Sequence, residues 1–189
     1  EVVGLDLSEG MLRQRETRAR DRLPRWLGGQ SRLLVAADMA AARGIVVVNS
    51  MGNEGGTSWL YMIAPADGDS VLSIGAVDSD GIRAYFSSVG PTYDGRIKPD
   101  VMAQGRYNYV ATTTDTASYS YSSGTSFSCP MTTGAVGLLL QAHPDWTPQH
   151  VKTALRNTAH EDMAESVTAK GYGHIDVLAA VQSAKPPVA

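Results

Sequence analysis

The chain has little of several residue types, and each shortage removes a class of function. Cys129 is the only cysteine among 189 residues, which excludes an internal disulfide and a cysteine-rich metal site. No apolar run approaches the roughly 20 residues of a membrane-spanning helix. Residues 1–30 lack the apolar core of a signal peptide, so we predict none there. The net charge of -3 argues against a dedicated binder of nucleic acid.

What remains is the composition of an ordinary globular protein with an α/β pattern. Hydrophobic residues make up 43% of the chain and charged residues 19%, which is enough to bury one core. Strands are predicted at 45–49, 71–77 and 83–86, with extended pieces near Val101 and at 109–112. Helices are predicted at 33–43, from Ser126 to about 142, at 147–158 and at 175–182. The order of these elements supports an α/β fold.

The most informative segment is Gly124-Thr125-Ser126-Phe127-Ser128-Cys129-Pro130, followed by the apolar run 131–142. It predicts a helix that begins near Ser126, and the positive end of the helix dipole favours negative charge there. Gly124 allows a sharp bend and close approach of a substrate. Pro130 falls about one turn into the helix, where its missing N–H costs least. A Ser/Thr-rich helix start without any function has the same pattern, so this segment alone leaves both readings open.

A second segment, residues 44–56, combines a β-branched run with a loop rich in glycine. The run predicts a buried parallel strand, and the loop would lie at its carboxyl end. Ligands of open α/β sheets bind at that edge. Asn53 would offer a side-chain amide there, which is a suitable donor to an oxyanion.

With Phe86-Ser87-Ser88, Lys98-Pro99-Asp100 and Gly171-Tyr172-Gly173 added, residues from about 31 to 182 resemble the C-terminal half of a subtilisin-like serine protease domain. The resemblance implies a three-layer α/β fold with a mostly parallel central sheet, whose first strands would be missing here. It also implies peptide or protein substrates and an extracellular location. We therefore divide the chain into an atypical Arg-rich segment (1–30), the protease-like portion (31–183) and a tail (184–189).

The resemblance also assigns roles to individual residues. Ser126 would be the nucleophile, and the Asn53 amide and the Ser126 N–H would form the oxyanion hole. The substrate-binding residues would be Ser50, Met51, Gly52, Ala64, Pro65 and Thr125. No cofactor, metal site, nucleic-acid partner or membrane partner is expected, and structural calcium is left open.

The chain departs from the family pattern at the catalytic base. The family mechanism needs a histidine and an aspartate. Both precede the glycine-rich loop that carries Asn53 (the asparagine loop), and they lie in His-Gly-Thr-His-like and Asp-Thr/Ser-Gly-like motifs. Neither motif occurs here, and the four histidines (His143, His150, His160 and His174) all follow Ser126. Without its base a serine is a weak nucleophile. We expect a nearly inactive chain unless a complementing N-terminal half-domain supplies both groups.

The first 30 residues match the family poorly and leave alternatives open. Residues 2–12 resemble the second strand and following helix of a class I methyltransferase, in which Asp6 would bind the cofactor ribose, but no glycine-rich loop precedes them. The arginines of residues 13–25 are nearly balanced by acids, which indicates a solvated helix and linker. Besides a protease portion, a non-catalytic protein with a protease-like surface remains an alternative, and a methyltransferase is a distant third.

Overall fold

A computed structural model of the chain describes residues 28–113, 116–161 and 164–188. The predictions for Asp6, the methyltransferase-like segment and the arginine-rich segment up to residue 27 lie outside the described residues.

Eight of the ten helices and strands of the described chain were predicted from the sequence, with bounds that shift by a few residues. The helices are α1 (Gly28–Ala41), α2 (Thr125–Ala142), α3 (Pro148–Thr158), α4 (Val167–Lys170) and α5 (Val177–Gln182). The strands are β1 (Val48–Ser50), β2 (Leu72–Val77), β3 (Val101–Gln104), β4 (Asn108–Ala111) and β5 (Tyr119–Ser122). Thr147 caps α3 by accepting from the His150 backbone N–H, as the Thr-Pro sequence predicts.

The first three strands form a parallel sheet in the order β1-β2-β3, which confirms the predicted α/β class. The register pairs Val48 with Leu72 and Ile74 with Val101. Among the described strands, β1 has a partner on one side only and so forms an edge. The second sheet is the antiparallel pair β4-β5, which leads directly into α2.

The main core lies between one face of the parallel sheet and the helices α2, α3 and α5. Leu72 and Ile74 of β2 pack there with Leu139 of α2 and Leu155 of α3, all at most 1% exposed. The alternation of apolar side chains along β2 places them on this face. Helix α2 therefore lies against the sheet, and its first turn is fixed beside the loop that follows β1.

Two predicted strands differ from the structure. At 83–86 only a single bridge forms between Val77 and Arg83, because the chain turns back through a hydrogen bond from Ser87 N–H to the Ala84 carbonyl. At 45–49 the strand begins only at Val48, because the Ile45 N–H still bonds to the end of α1 at Ala40. Strand β5 and the short helix α4 were not predicted.

Candidate active site

Ser126 is the second residue of α2 and its side chain is exposed. Its hydroxyl has no hydrogen-bond partner among the described residues. Its backbone N–H belongs to the first turn, where helix donors lack partners within the helix. The structure thus presents a hydroxyl and an N–H at the positive end of an 18-residue helix.

Asn53 lies just beyond the carboxyl end of β1, and its amide oxygen is fixed by two hydrogen bonds. The Thr125 N–H and the Thr125 hydroxyl both donate to Asn53 Oδ1, at 2.9 Å each. A backbone N–H needs an acceptor, so the oxygen must face Thr125 and the NH₂ group must point the other way. The loop after β1 and the start of α2 thereby orient the Asn53 amide as a donor.

Gly124 marks the place where the two candidate oxyanion donors converge. A Cβ atom on this glycine would lie 3.4 Å from Asn53 Nδ2 and 3.7 Å from the Ser126 backbone nitrogen. Both nitrogens therefore border one small volume, which the absence of a side chain at Gly124 leaves open. Two N–H donors around one such point can stabilise an oxyanion.

Thr125 joins the asparagine loop to the helix rather than facing the surface. Its side chain is 1% exposed, and its hydroxyl accepts from the Gly52 N–H at 3.2 Å while it donates to Asn53. The sequence predicted a substrate-binding role for Thr125. Its contacts place it behind Asn53, where it fixes the orientation of that amide.

The remaining predicted pocket residues lie on two adjacent segments. Ser50, Ala64 and Pro65 are half-buried, whereas Met51 and Gly52 are buried. The two segments are joined by a hydrogen bond of 3.2 Å from the Ile63 N–H to the Met51 carbonyl.

Ile63 also borders the predicted pocket, and the sequence did not predict its role there. A Cβ on Gly52 would lie 2.9 Å from Ile63 Cγ1, so the isoleucine covers the glycine directly. No signal in the sequence distinguishes Ile63 from other apolar loop residues.

The Phe86-Ser87-Ser88 segment fixes the asparagine loop through hydrogen bonds. The Glu54 N–H donates to Ser88 Oγ at 2.9 Å and the Gly55 N–H donates to the Phe86 carbonyl at 2.8 Å. A Cβ on Gly55 would lie 2.2 Å from the Ser87 carbonyl oxygen, so only glycine permits this contact. The motif was visible in the sequence, but its contact with the loop was not.

None of the four histidines, all of which are described, is bonded to Ser126. His143 Nε2 lies 2.8 Å from the Val181 carbonyl oxygen, and the His150 ring bonds to Thr147. His160 faces Asp176 at 3.1 Å and pairs with His174 through the backbone. His143 also ends α2, 17 residues beyond Ser126. That separation is about 25 Å along a helix.

The only cysteine is no alternative nucleophile. Burial raises the pKa of the Cys129 thiol, against a weaker opposing effect of the Thr133 hydroxyl, so the thiol stays protonated at neutral pH. Among the described residues no group of three or more His, Cys, Asp or Glu side chains could hold a metal ion. In that same part of the chain, every helix is too short or too polar to cross a membrane.

Comparisons with known proteins agree with this geometry. A family model described as Peptidase S8, subtilase family, matches residues 14–175. Subtilisin DY from Bacillus licheniformis is 39% identical over 155 residues, which cover 82% of this chain and 53% of that protein. Subtilisin NAT from Bacillus subtilis subsp. natto is 36% identical, with 82% and 38% covered.

A solved structure gives the same result for the fold. The patellamide maturation protease PatG superimposes with a TM-score of 0.69 and 25% identity, covering 81% of this chain and 48% of that one. The chain therefore spans about half, or less, of the length of these relatives.

Proposed function

The chain belongs to the subtilase family, and from this membership we propose that it is the serine-bearing portion of a serine endopeptidase domain. In this proposal Ser126 Oγ attacks the carbonyl carbon of a peptide bond. The proton of its hydroxyl passes to a base, and the carbonyl oxygen becomes an oxyanion. Collapse of this intermediate breaks the C–N bond, with the proton returned to the leaving amine, and water then hydrolyses the acyl-enzyme.

One observation carries the proposal. Asn53 Nδ2 and the Ser126 backbone nitrogen lie 3.4 Å and 3.7 Å from the position that a Cβ atom of Gly124 would occupy, so both border the same small space. These donors would bind the oxyanion as it forms, which is where electrostatic stabilisation contributes most. Thr125 supports the arrangement because its two bonds to Asn53 Oδ1 keep the amide from rotating. Residues 50–52 and 63–65 would hold the substrate residue that precedes the scissile bond.

We place the missing base and its orienting acid on a complementing N-terminal half-domain. No histidine is bonded to Ser126: the rings of His143, His150 and His160 have other partners, and His174 pairs with His160 through the backbone. The edge strand β1 supports this partner, because its free side can pair with a further strand. Ile45, just before β1, is 56% exposed and would be covered by the same partner. An extracellular location belongs to this proposal as well.

Complementation tests this function. The chain would be mixed with a recombinant segment that carries the family's aspartate and histidine motifs, and hydrolysis of a peptide p-nitroanilide would be followed. We expect activity only in the mixture. The Ser126→Ala variant should abolish it, and Asn53→Ala should lower kcat by about 10²–10³ because one oxyanion donor is lost.

The control variant is Asn157→Ala, which removes an exposed asparagine from α3 and should leave kcat unchanged. Activity that survives Ser126→Ala would contradict the assigned nucleophile. A mixture without activity would instead favour the second candidate, a non-catalytic peptide-binding protein, for which the specific observation is that no histidine among the described residues is bonded to Ser126.

A further inference from the structure

A polar cavity of about 410 Å³ lies away from Ser126. Its lining includes Ser70, Arg96, Gln149, Lys152, Arg156 and Tyr172. Ser70 and Arg96 precede β2 and β3, so they lie at the amino ends of these parallel strands, whereas the asparagine loop follows the carboxyl end of β1. The cavity therefore lies at the opposite edge of the sheet, and it shares no residue with the candidate active site.

The floor of the cavity carries more positive than negative charge. Asp100 is fully buried there and accepts from Lys98 at 2.8 Å and from Arg156 Nε at 2.9 Å. Lys152 Nζ lies 3.6 Å from the same carboxylate. Three cations thus share one carboxylate, which leaves two positive charges uncompensated at this point.

The acids at the rim are engaged with a different cation. Asp94 accepts from Arg96 Nε at 3.0 Å, and Asp69 Oδ1 lies 3.6 Å from Arg96 Nη1. Asp69 also lines the cavity, so the four cations (Arg96, Lys98, Lys152 and Arg156) face three carboxylates (Asp69, Asp94 and Asp100), and one positive charge remains. The side chains of Lys152 and Arg156 are only 7% and 22% exposed. Water screens such half-buried charges poorly, so a bound anion gains more there than at an open surface.

Lys152 and Arg156 also keep hydrogen-bond donors for a ligand. Lys98 uses all three of its N–H groups, on Val71 O, Ser73 Oγ and Asp100. Lys152 donates one hydrogen bond to the Asp69 carbonyl, at 2.7 Å. Arg156 binds Asp100 through Nε and Nη2 and stacks on the Tyr172 ring, 4.7 Å from its centroid. Within the described residues, two N–H groups of Lys152 and the Nη1 group of Arg156 are left for a ligand.

We propose that this cavity binds an oxyanion of the phosphate type, with Lys152 and Arg156 as its charged donors and Gln149 at its rim. The net positive charge of the lining and its neighbouring carboxylates favours an anion. The guanidinium group, held flat on Tyr172 and fixed by Asp100, is preorganised for the planar face of oxygens that a phosphate presents. The volume exceeds that of a free phosphate ion, so the same group can arrive as inorganic phosphate or as a phosphate ester.

The protonation of Lys152 provides an independent readout. Burial lowers its pKa to about 8; the charges of Lys98 and Arg156 add to this shift, and those of Asp100 and Asp69 oppose it. An anion beside the ammonium group raises this pKa again, since an opposite charge favours the charged form. Binding near that pH is therefore accompanied by proton uptake.

Isothermal titration calorimetry of the purified chain tests the proposal, with inorganic phosphate and phenyl phosphate as probes and acetate at matched ionic strength as the control. We expect saturable binding of phosphate but not of acetate. The enthalpy near pH 8 should depend on the ionisation enthalpy of the buffer, because protons are taken up. Tighter binding of phenyl phosphate would identify an ester as the ligand, and equal binding would identify the free ion.

Two variants distinguish the site from a general salt effect. Gln149→Glu adds a negative charge at the exposed rim without disturbing the core, and Gln141→Glu adds the same charge at an exposed position of α2. We expect the first to weaken phosphate binding by about tenfold or more and the second to leave it unchanged. Lys152→Met should abolish binding. Equal heats for parent and Gln149→Glu, or no saturable binding by the parent chain, would overturn the proposal.

Discussion

At the scale of single residues, Asp100 is the charge on which the interior depends most. Burial alone would raise its pKa, but the charges of Lys98, Lys152 and Arg156 outweigh this and hold the pKa below its ordinary value. A carboxyl group with a lowered pKa in the folded state stabilises the protein above its unfolded pKa. That contribution is lost as the pH falls through the folded value.

Replacing Asp100 by asparagine should therefore be strongly destabilising. The change leaves three buried or half-buried cations without their anion, and we expect a loss of about 3–5 kcal/mol in the free energy of unfolding. Asp145→Asn is the matched control, because Asp145 pairs with Lys185 at the surface and its loss should leave stability almost unchanged. Urea denaturation compares the two variants, and equal midpoints would contradict the central role of Asp100.

Removal of the Lys152 charge should change the stability in the opposite direction to removal of the Asp100 charge. The pKa of Lys152 is lowered to about 8 from an ordinary 10.5, so between these values the unfolded chain binds more protons, and stability rises with pH through this group. Below about pH 8 the charged lysine costs the folded state up to about 3 kcal/mol.

Lys152→Met should accordingly be more stable than the parent chain at neutral pH, because it removes a poorly solvated charge. The difference should shrink as the pH rises from 8 to 10.5, the window between the two pKa values. Denaturant titrations across this window measure it. A difference that stays constant with pH would show that the stability change comes from packing rather than from the charge.

At the scale of elements, the turn Gly171-Tyr172-Gly173 extends the sheet beside β3. The Tyr172 N–H donates to the Asp100 carbonyl at 3.1 Å, and the Gly173 carbonyl accepts from the Met102 N–H at 2.7 Å. Gly171 has φ +61°, and a Cβ there would lie 2.1 Å from the Pro99 carbonyl oxygen. Only glycine brings this turn so close to the strand.

Gly171→Ala should destabilise the protein by about 2–4 kcal/mol, since it adds a backbone clash to an unfavourable φ angle. Gly81→Ala isolates the second effect, because Gly81 has φ +77° and nothing lies within 4 Å of its Cβ position. We expect about 1 kcal/mol for that control. Thermal unfolding of both variants gives the comparison, and equal losses would mean that the contact with Pro99 costs nothing.

Local sequence signals located the elements that carry the site but not the contacts between them. Pro130 and the apolar run after it predicted α2, and Thr147-Pro148 predicted the start of α3. The bonds from Thr125 to Asn53 join residues 72 positions apart, which no local pattern reveals. The Ile63 contact with Gly52 was missed because it depends on how two loops meet.

Strand β5 was missed for a related reason. Its residues are mostly exposed and do not alternate between buried and exposed positions, and three tyrosines (Tyr109, Tyr119 and Tyr121) stay exposed on the hairpin. They stack on one another across the strands, with centroids 5.2–5.6 Å apart. Hydrophobic periodicity, the main sequence signal for strands, is therefore absent there.

At the scale of the whole molecule, the described residues combine a packed core with the proposed site at one edge of the sheet. Helices α2, α3 and α5 cover one face of the parallel sheet, and Asn53 and Ser126, the proposed oxyanion donor and nucleophile, lie at its carboxyl edge. The histidines lie on the later helices and turns, and none is bonded to Ser126. We therefore propose that Ser126 is placed beside its oxyanion donors but is not activated by a base among the described residues.

Incubation of the purified chain with a fluorophosphonate probe, read by intact mass, tests this proposal, because the probe reacts with activated serine hydroxyls. Subtilisin DY is the positive control and the Ser126→Ala variant the negative one. We expect no labelling of the chain under conditions that label the control completely. A single label that disappears in Ser126→Ala would show that a base acts on Ser126 within these 189 residues, and the proposal would be wrong.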